Sequence, residues 1–416
     1  MLDSIALKAE FPLFQQSEWR DLIYLDNAAT TQKPVSVMEA IDQYYTHHCA
    51  NVGRGVYDLS AESTKLFAEA RHQIAAFFGA TSDELILTRN ATEAVNAVVW
   101  GWAQQNTHDQ DVILVTQLEH HSNLVPWQKL CQRQQVTLKW VRVTTQGELD
   151  WAHLIEQLKI NKPRLLAITH LSNVTGVVCD PIMIKKIVKK YSPQTKILLD
   201  AAQSAGKIPI NFDQWDIDYL VFSGHKMYGP MGVGGLLVAR QLIQGGQFVP
   251  WLFGGGMIGK VSQTRTTLNE SYENRFIAGT PDVASAVGLA AACRWLNQIG
   301  VGQVLAHDQL LVKEAYQLLS KLSQYVVIGP EPDDQTIVRA CSVAFFHKKF
   351  LSHDIAQILN KQMIAVRSGW HCCEPLHETM GWPTTLRLSF AIYNNLDEIK
   401  RVVELLGKID HWLKAI

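Results

Sequence analysis

The sequence predicts an α/β fold, a mainly parallel sheet with helices on both faces, followed by a smaller α+β unit. Two observations carry this. Between about residues 23 and 240, short apolar runs alternate with segments of helical period. Beyond Asp282 the order changes to two long helical stretches, reaching about Ser323, and then to separate strand patterns. The first order is that of a doubly covered parallel sheet; the second is that of an α+β unit.

The strand-like runs of the first region are IYLD, ELILTR, DVILVT, LKWVRV, RLLAITHLSN, KILLDAAQ, YLVFSGHK and GGLLVAR. Helical periods lie between many of them, as from Thr92 to Ala103 and from Pro181 to Lys190. Ligands of such sheets sit at the carboxyl ends of strands, so the polar endings THLSN, LDAAQ and FSGHK fall where a site belongs. The Gly-, Thr- and Ser-rich stretch 245–274 reads as loops. ACSVAFF, IAVRS and TLRLSFA are the strand candidates of the second unit, closed by a helix from Leu396. The expected division is a segment 1–22 associated with the small unit, a large unit 23–290 and a small unit 291–416.

Bulk properties narrow the function. With 38 basic and 39 acidic residues among 416, no charge excess is available to hold nucleic acid or anionic lipid. No apolar run approaches the roughly 20 residues of a membrane span, and MLDSIALKAEF carries acids where a secretory signal is basic; a cytoplasmic protein is expected. The seven cysteines form an odd set without a CxxC pair, which argues against a disulfide framework. His371, Cys372, Cys373 and His377 imitate a metal site, yet adjacent cysteines rarely close a tetrahedron and a second ligand pair is missing, so no metal is expected.

Ser223-Gly224-His225-Lys226 follows the run YLVF. Desolvation past the end of a buried strand lowers a lysine's pKa and leaves its amine nucleophilic, which suits a Schiff base; a surface lysine in a turn is the plainer alternative. Asp200 ends ILLD in a parallel register, with Gln203 behind it. In pyridoxal-phosphate enzymes a carboxylate keeps the pyridine nitrogen protonated, so that the ring can absorb the electrons of a carbanion. Gln203 can donate to the ring's phenolic oxygen. In any fold a buried aspartate calls for a cationic partner.

A phosphate needs donors, and Asn90-Ala91-Thr92-Glu93 opens a helix directly after ELILTR. The helix terminus favours an anion, with Thr92, Ser223 and His225 completing a cradle; an ordinary N-cap is the alternative. In Glu119-His120-His121-Ser122-Asn123 an imidazole can stack on a cofactor ring and shuttle protons. Arg387, in an alternating strand, suits a bidentate grip on an α-carboxylate or, alternatively, a salt bridge between units. Arg367-Ser368-Gly369-Trp370-His371-Cys372 places a thiol in a glycine-containing loop beside Arg and His; a buried, inert thiol is the alternative. Gly254-Gly255-Gly256-Met257-Ile258-Gly259-Lys260 matches the core of a phosphate-binding P-loop, but Val261 stands where Ser or Thr is required and no helical stripe follows.

Together these segments resemble the cysteine desulfurases of the SUF and cysteine-sulfinate-desulfinase type (group II), within the fold-type I pyridoxal-phosphate enzymes. The resemblance runs nearly end to end, through YLDNAATTQKP, NVGRGVYDLS, RNATEAVN, EHHSNLVPW, THLSNVTG, LLDAAQ, FSGHKMYGP, GGGMIG, AGTPD, VRSGWHCCEPL and LRLSFAIYN. It implies a seven-stranded sheet, pyridoxal 5'-phosphate on Lys226, His120 stacked on the ring, Asp200 and Gln203 at the pyridine, and Thr92, Ser223 and His225 at the phosphate. Thr280 would reach the phosphate of a neighbouring subunit, implying a homodimer. Asn173 and Arg387 would hold the substrate carboxylate with Arg367 nearby, and Cys372 would take sulfur from L-cysteine as a persulfide. An acceptor of the SufE type, or another thiol carrier, would collect that sulfur for iron–sulfur cluster assembly. Selenocysteine and cysteine sulfinate are alternative substrates. An aminotransferase or a kynureninase-like hydrolase would not need the loop cysteine, and a cofactor-binding scaffold would not need Lys226, His120 and Cys372 together. The chain departs from the family at Gly53, where His often precedes the arginine, and at Cys373, where a small residue usually follows the nucleophile.

Overall fold

The computed structural model describes residues 2–332 and 338–413. Seven strands build the main sheet: β1 (Leu85–Thr88), β2 (Val112–Thr116), β3 (Thr137–Val141), β4 (Leu165–Thr169), β5 (Lys196–Asp200), β6 (Tyr219–Ser223) and β7 (Gly234–Val238). Their spatial order is β1-β7-β6-β5-β4-β2-β3. All neighbours run parallel except those of β7, which is antiparallel to both β1 and β6. The central strands β4 and β6 are buried along their whole length, as a sheet covered on both faces requires. Gly234 is needed where β7 passes the start of the helix Ala91–Val98: a Cβ there would lie 2.5 Å from the Phe222 carbonyl oxygen and 2.9 Å from Asn90 Cα.

The second unit carries an antiparallel sheet of β8 (Tyr325–Val327), β9 (Ser342–His347), β10 (Arg367–Gly369) and β11 (Thr385–Ser389), in the order β8-β9-β11-β10. The helices Val301–Ser320 and Leu396–Gly407 pack on it around a separate core that includes Leu311, Phe345, Leu388 and Val402. The run IYLD joins this unit rather than the main sheet. Ile23–Tyr24 pairs in parallel with Ile364–Ala365, and Ile23 and Leu25 are buried in the smaller core. The preceding segment touches both units. Phe11 packs edge-on against Tyr393 in the larger core, while Lys8 pairs with Glu398 at 2.6 Å.

Within 245–274 the chain forms a short antiparallel hairpin, Ile258–Val261 with Thr266–Leu268. The glycine-rich run thus leads into an exposed strand, whereas a P-loop leads into a helix. Among the described residues no helix is long and apolar enough to cross a membrane.

Candidate active site

Strands β4, β5 and β6 end at Thr169, Asp200 and Ser223, and a cavity of ≈ 240 Å³ opens against these ends. Thr92, His120, Asn173, Asp200, Gln203, Ser223, His225 and Lys226 line it from the large unit. Arg367, Cys372 and Arg387 line it from the small one. Thr280 stands apart: it is exposed, lines a different hollow and donates to Asn51 Oδ1 at 3.4 Å.

Lys226 sits in the single turn after β6. Burial lowers its amine pKa to about 8, with Asp200 opposing the shift. Asp200 accepts the Ala202 amide at 2.9 Å, and burial raises its carboxyl pKa, so a cation in the cavity would relieve it. Gln203 Nε2 donates to the Ala28 carbonyl at 2.9 Å.

Asn90 caps its helix by accepting the Glu93 amide, and Ser223 Oγ accepts the Ala91 amide at 2.9 Å, which brings Thr92 and Ser223 to one helix N-terminus. The cap therefore does not exclude an anion cradle at this helix N-terminus. Thr92 Oγ1 lies 2.8 Å from Ser122 Oγ, which lies 2.9 Å from His120 Nδ1. Because the Ser122 amide donates to His120 Nδ1, the ring proton belongs on Nε2. Burial, and then the nearby Lys226 charge, lowers the His120 pKa to about 3 and keeps the ring neutral.

The opposite wall is a loop under backbone strain. His371 and Cys372 both take left-handed φ values, 53° and 56°. The conformation is held from the large unit: Asn173 Nδ2 donates to the His371 carbonyl at 2.7 Å, and the His121 amide donates to the Cys372 carbonyl at 2.8 Å. Cys372 Sγ faces the cavity, 3.9 Å from Arg367 Nη2. Cys373 is fully buried and turns away, its thiol donating toward the Glu119 and Leu118 carbonyls at 3.3 and 3.6 Å. The metal-like cluster resolves into ordinary hydrogen bonds, with His371 Nε2 and His377 Nε2 both on the Thr385 hydroxyl.

Arg387 faces Arg367 across the β10–β11 ladder. Its Nη2 pairs with Asp26 at 3.0 Å and its Nη1 donates to the Asn173 carbonyl at 3.1 Å. Its Nε is buried without a hydrogen-bond partner among the described residues. The arginine thus makes an ion pair and retains one unfilled donor. The cavity suits pyridoxal phosphate: it joins a desolvated lysine, a buried carboxylate, a helix N-terminus and an unpaired guanidinium donor.

Several participants were not singled out from sequence. Asp26 partners Arg387, Ser122 bridges Thr92 and His120, and buried Glu119 accepts from Asn123 Nδ2 at 2.6 Å and the Thr169 amide at 2.9 Å. Burial raises the Glu119 pKa to about 8. Ser122 and Glu119 lie within EHHSN and Asp26 within YLDNAA, but nothing in spacing told their partners. Gly53, in place of the family's frequent His, has φ 96°, a conformation that glycine tolerates and other residues rarely adopt.

Comparison with known proteins identifies the family. Residues 23–402 match the aminotransferase class-V family. The chain is 38% identical over 410 residues to a probable cysteine desulfurase 2 of Mycobacterium leprae, covering 97% of this chain and 95% of the relative. Among solved structures, a cysteine desulfurase of Thermococcus onnurineus NA1 superposes with a TM-score of 0.91 at 35% identity, covering 98% of each chain. The Escherichia coli cysteine desulfurase CsdA does so with a TM-score of 0.88 at 31% identity, covering 100% of each. The chain belongs to the aminotransferase class-V family, among cysteine desulfurase relatives, and is a fold-type I enzyme dependent on pyridoxal phosphate.

Proposed function

We propose that the enzyme is a cysteine desulfurase of the SUF-like group, converting L-cysteine to L-alanine and loading the sulfur onto Cys372. The observation that carries the reading is the convergence of Lys226, Arg387 and the Cys372 thiol on one cavity. Bound pyridoxal phosphate supplies an electron sink for the electrons released at the substrate Cα. Lys226 would hold it, Asp200 and Gln203 would face its ring, and Thr92, Ser223 and His225 would meet its phosphate.

The Arg387 guanidinium grips the substrate carboxylate, assisted by Asn173 and Arg367. The Lys226 amine, with its pKa lowered to about 8, takes the Cα proton. His120, neutral with Nε2–H toward the cavity, is the proton donor on the ring face. Cys372 Sγ forms an S–S bond to the substrate sulfur as the substrate C–S bond breaks, so that cysteine and enzyme thiol become alanine and enzyme persulfide. Thr280, outside its own cavity, is read as reaching the phosphate of a second copy in a homodimer. The large unit 23–290 holds the cofactor and the small unit 291–416 carries the thiol; the segment 1–22 bridges the two, and Ile23 and Leu25 join the small unit's core. A SufE-type protein or another thiol carrier then takes the sulfur for iron–sulfur cluster assembly in the cytoplasm.

The test is alanine formation from L-cysteine by the cofactor-loaded enzyme, compared with selenocysteine and cysteine sulfinate, with and without a reductant. Cys372→Ser is expected to lose cysteine turnover. Full activity in that variant would overturn the reading and favour an aminotransferase-like or hydrolytic reaction instead.

A further inference from the structure

Behind the cavity, a buried lysine and a buried cysteine lie in unusually close contact. Lys207 and Cys341 are each only 1% exposed, and Lys207 Nζ lies 2.6 Å from Cys341 Sγ. That is shorter than the N–H···O spacing of about 2.9 Å, although sulfur is larger than oxygen. The amine is also held by the Phe390 carbonyl at 3.2 Å.

The backbone fixes the thiol in this position. The Ser342 amide donates to the Ala340 carbonyl at 2.8 Å, closing a three-residue turn around Cys341, whose φ is 72°. This is the rare, strained form of the γ-turn. The Cys341 carbonyl in turn accepts the Phe390 amide at 2.7 Å. On its other side Cys341 Sγ lies 3.7 Å from Gln203 Oε1, and Gln203 lines the cofactor cavity. The Gln203 side chain therefore touches the thiol and also lines the cofactor cavity.

We propose that Lys207 and Cys341 form a reversible covalent cross-link, a modification site distinct from the sulfur-transfer chemistry, with hydrogen peroxide as the oxidant. Peroxide oxidises the thiol to a sulfenic acid: the O–O bond breaks, an S–O bond forms and water leaves. The Lys207 ammonium releases a proton and its free amine then attacks the sulfur: an S–N bond forms, the S–O bond breaks and a second water departs with a further proton from nitrogen. Sulfenic acids are known to condense with nitrogen in this way. The protein loses two hydrogens in total. Two equivalents of a small thiol reverse the link, becoming a disulfide while restoring amine and thiol.

The link would also reach the cofactor cavity. It removes the Cys341 S–H donor from Gln203 Oε1 and the lysine charge from the neighbourhood of Asp308, both of whose carboxylate oxygens are buried without a hydrogen-bond partner among the described residues.

Peptide mapping of the cofactor-loaded enzyme after peroxide treatment tests the proposal, in the wild type and in a Cys372→Ser background that removes the cavity's own thiol. The expected result is one joined species containing the peptides of residues 207 and 341, lighter than their sum by two hydrogens and released by dithiothreitol. Lys207→Arg, which keeps the positive charge, is expected to give no joined species. Separate peptides in the wild type, with Cys341 either unmodified or carried on to a sulfinic acid, would overturn it. This peptide-mapping readout does not depend on alanine formation, so failure here leaves the desulfurase proposal standing.

Discussion

The two sides of the cavity are built by different means. The floor is made of strand ends: Asp200 and Ser223 close buried ends of neighbouring parallel strands, and Lys226 follows in the next turn. Their spacing is set by the sheet, so no single contact decides it. The wall is the loop Gly369–Cys373, with two consecutive left-handed residues held by the His121 amide and the Asn173 side chain. Each such residue costs about 1–3 kcal/mol, and each hydrogen bond returns about 0.5–1.5 kcal/mol, so a few bonds from the large unit set the loop's position. Under the proposed function, the floor would hold a cofactor that stays and the wall a thiol that exchanges its cargo.

The largest expected effect lies on the floor. Lys226→Ala should abolish both turnover and the visible absorbance of a lysine-linked cofactor, while the phosphate and ring contacts still retain some cofactor. Absorption spectra and alanine assays check this. Normal turnover in the variant would remove the floor from the mechanism.

A pH series compares floor with wall directly. His120 on the floor and His371 on the wall have pKa values lowered to about 3 and about 2, chiefly by burial. Unfolded, each binds a proton near 6.5. Between about pH 3 and 6.5 the unfolded chain therefore carries more protons than the folded one, and stability falls as pH falls through that window. His120→Gln and His371→Gln should each lower the slope of unfolding free energy near about pH 5 by roughly one proton, measured by urea titration. An unchanged slope in either variant would mean that its ring already titrates in the folded state. A loss for His120 alone would mean that the wall opens in acid before the floor unfolds.

Legibility in the sequence followed the same division. The floor could be read because apolar runs mark strands and polar residues closing them mark the rim, as with LLDAAQ and FSGHK. The wall was legible only through resemblance, because a reactive thiol and an inert one have the same composition. The pairing of Asp26 with Arg387 joins residues 361 positions apart and leaves no periodic trace. The run IYLD was readable as a strand but not as a strand of the small unit, since a short apolar run does not specify which edge it pairs with. The left-handed backbone at His371 and Cys372 was hidden too, because neither residue is the glycine that normally announces it.

The smallest expected effect separates the two neighbouring thiols of the wall. Cys373 is buried against two carbonyl oxygens, and burial pushes its thiol pKa far up, so it remains a protonated donor. A persulfide moves only when a thiolate attacks it, and the group that would have to attack from position 373 is held as S–H facing away from the cavity. Its role is then to pin the loop to the end of the 117–119 segment. A serine hydroxyl can donate to the same carbonyls, so Cys373→Ser should retain cysteine turnover within about twofold, a difference under about 0.5 kcal/mol. Mass spectrometry of the loop peptide after a single turnover without acceptor should place the added sulfur on Cys372 in both the wild type and Cys373→Ser. Added sulfur on Cys373, or a loss of turnover in Cys373→Ser as deep as that in Cys372→Ser, would make the buried thiol part of the transfer path and the wall more mobile than its hydrogen bonds imply.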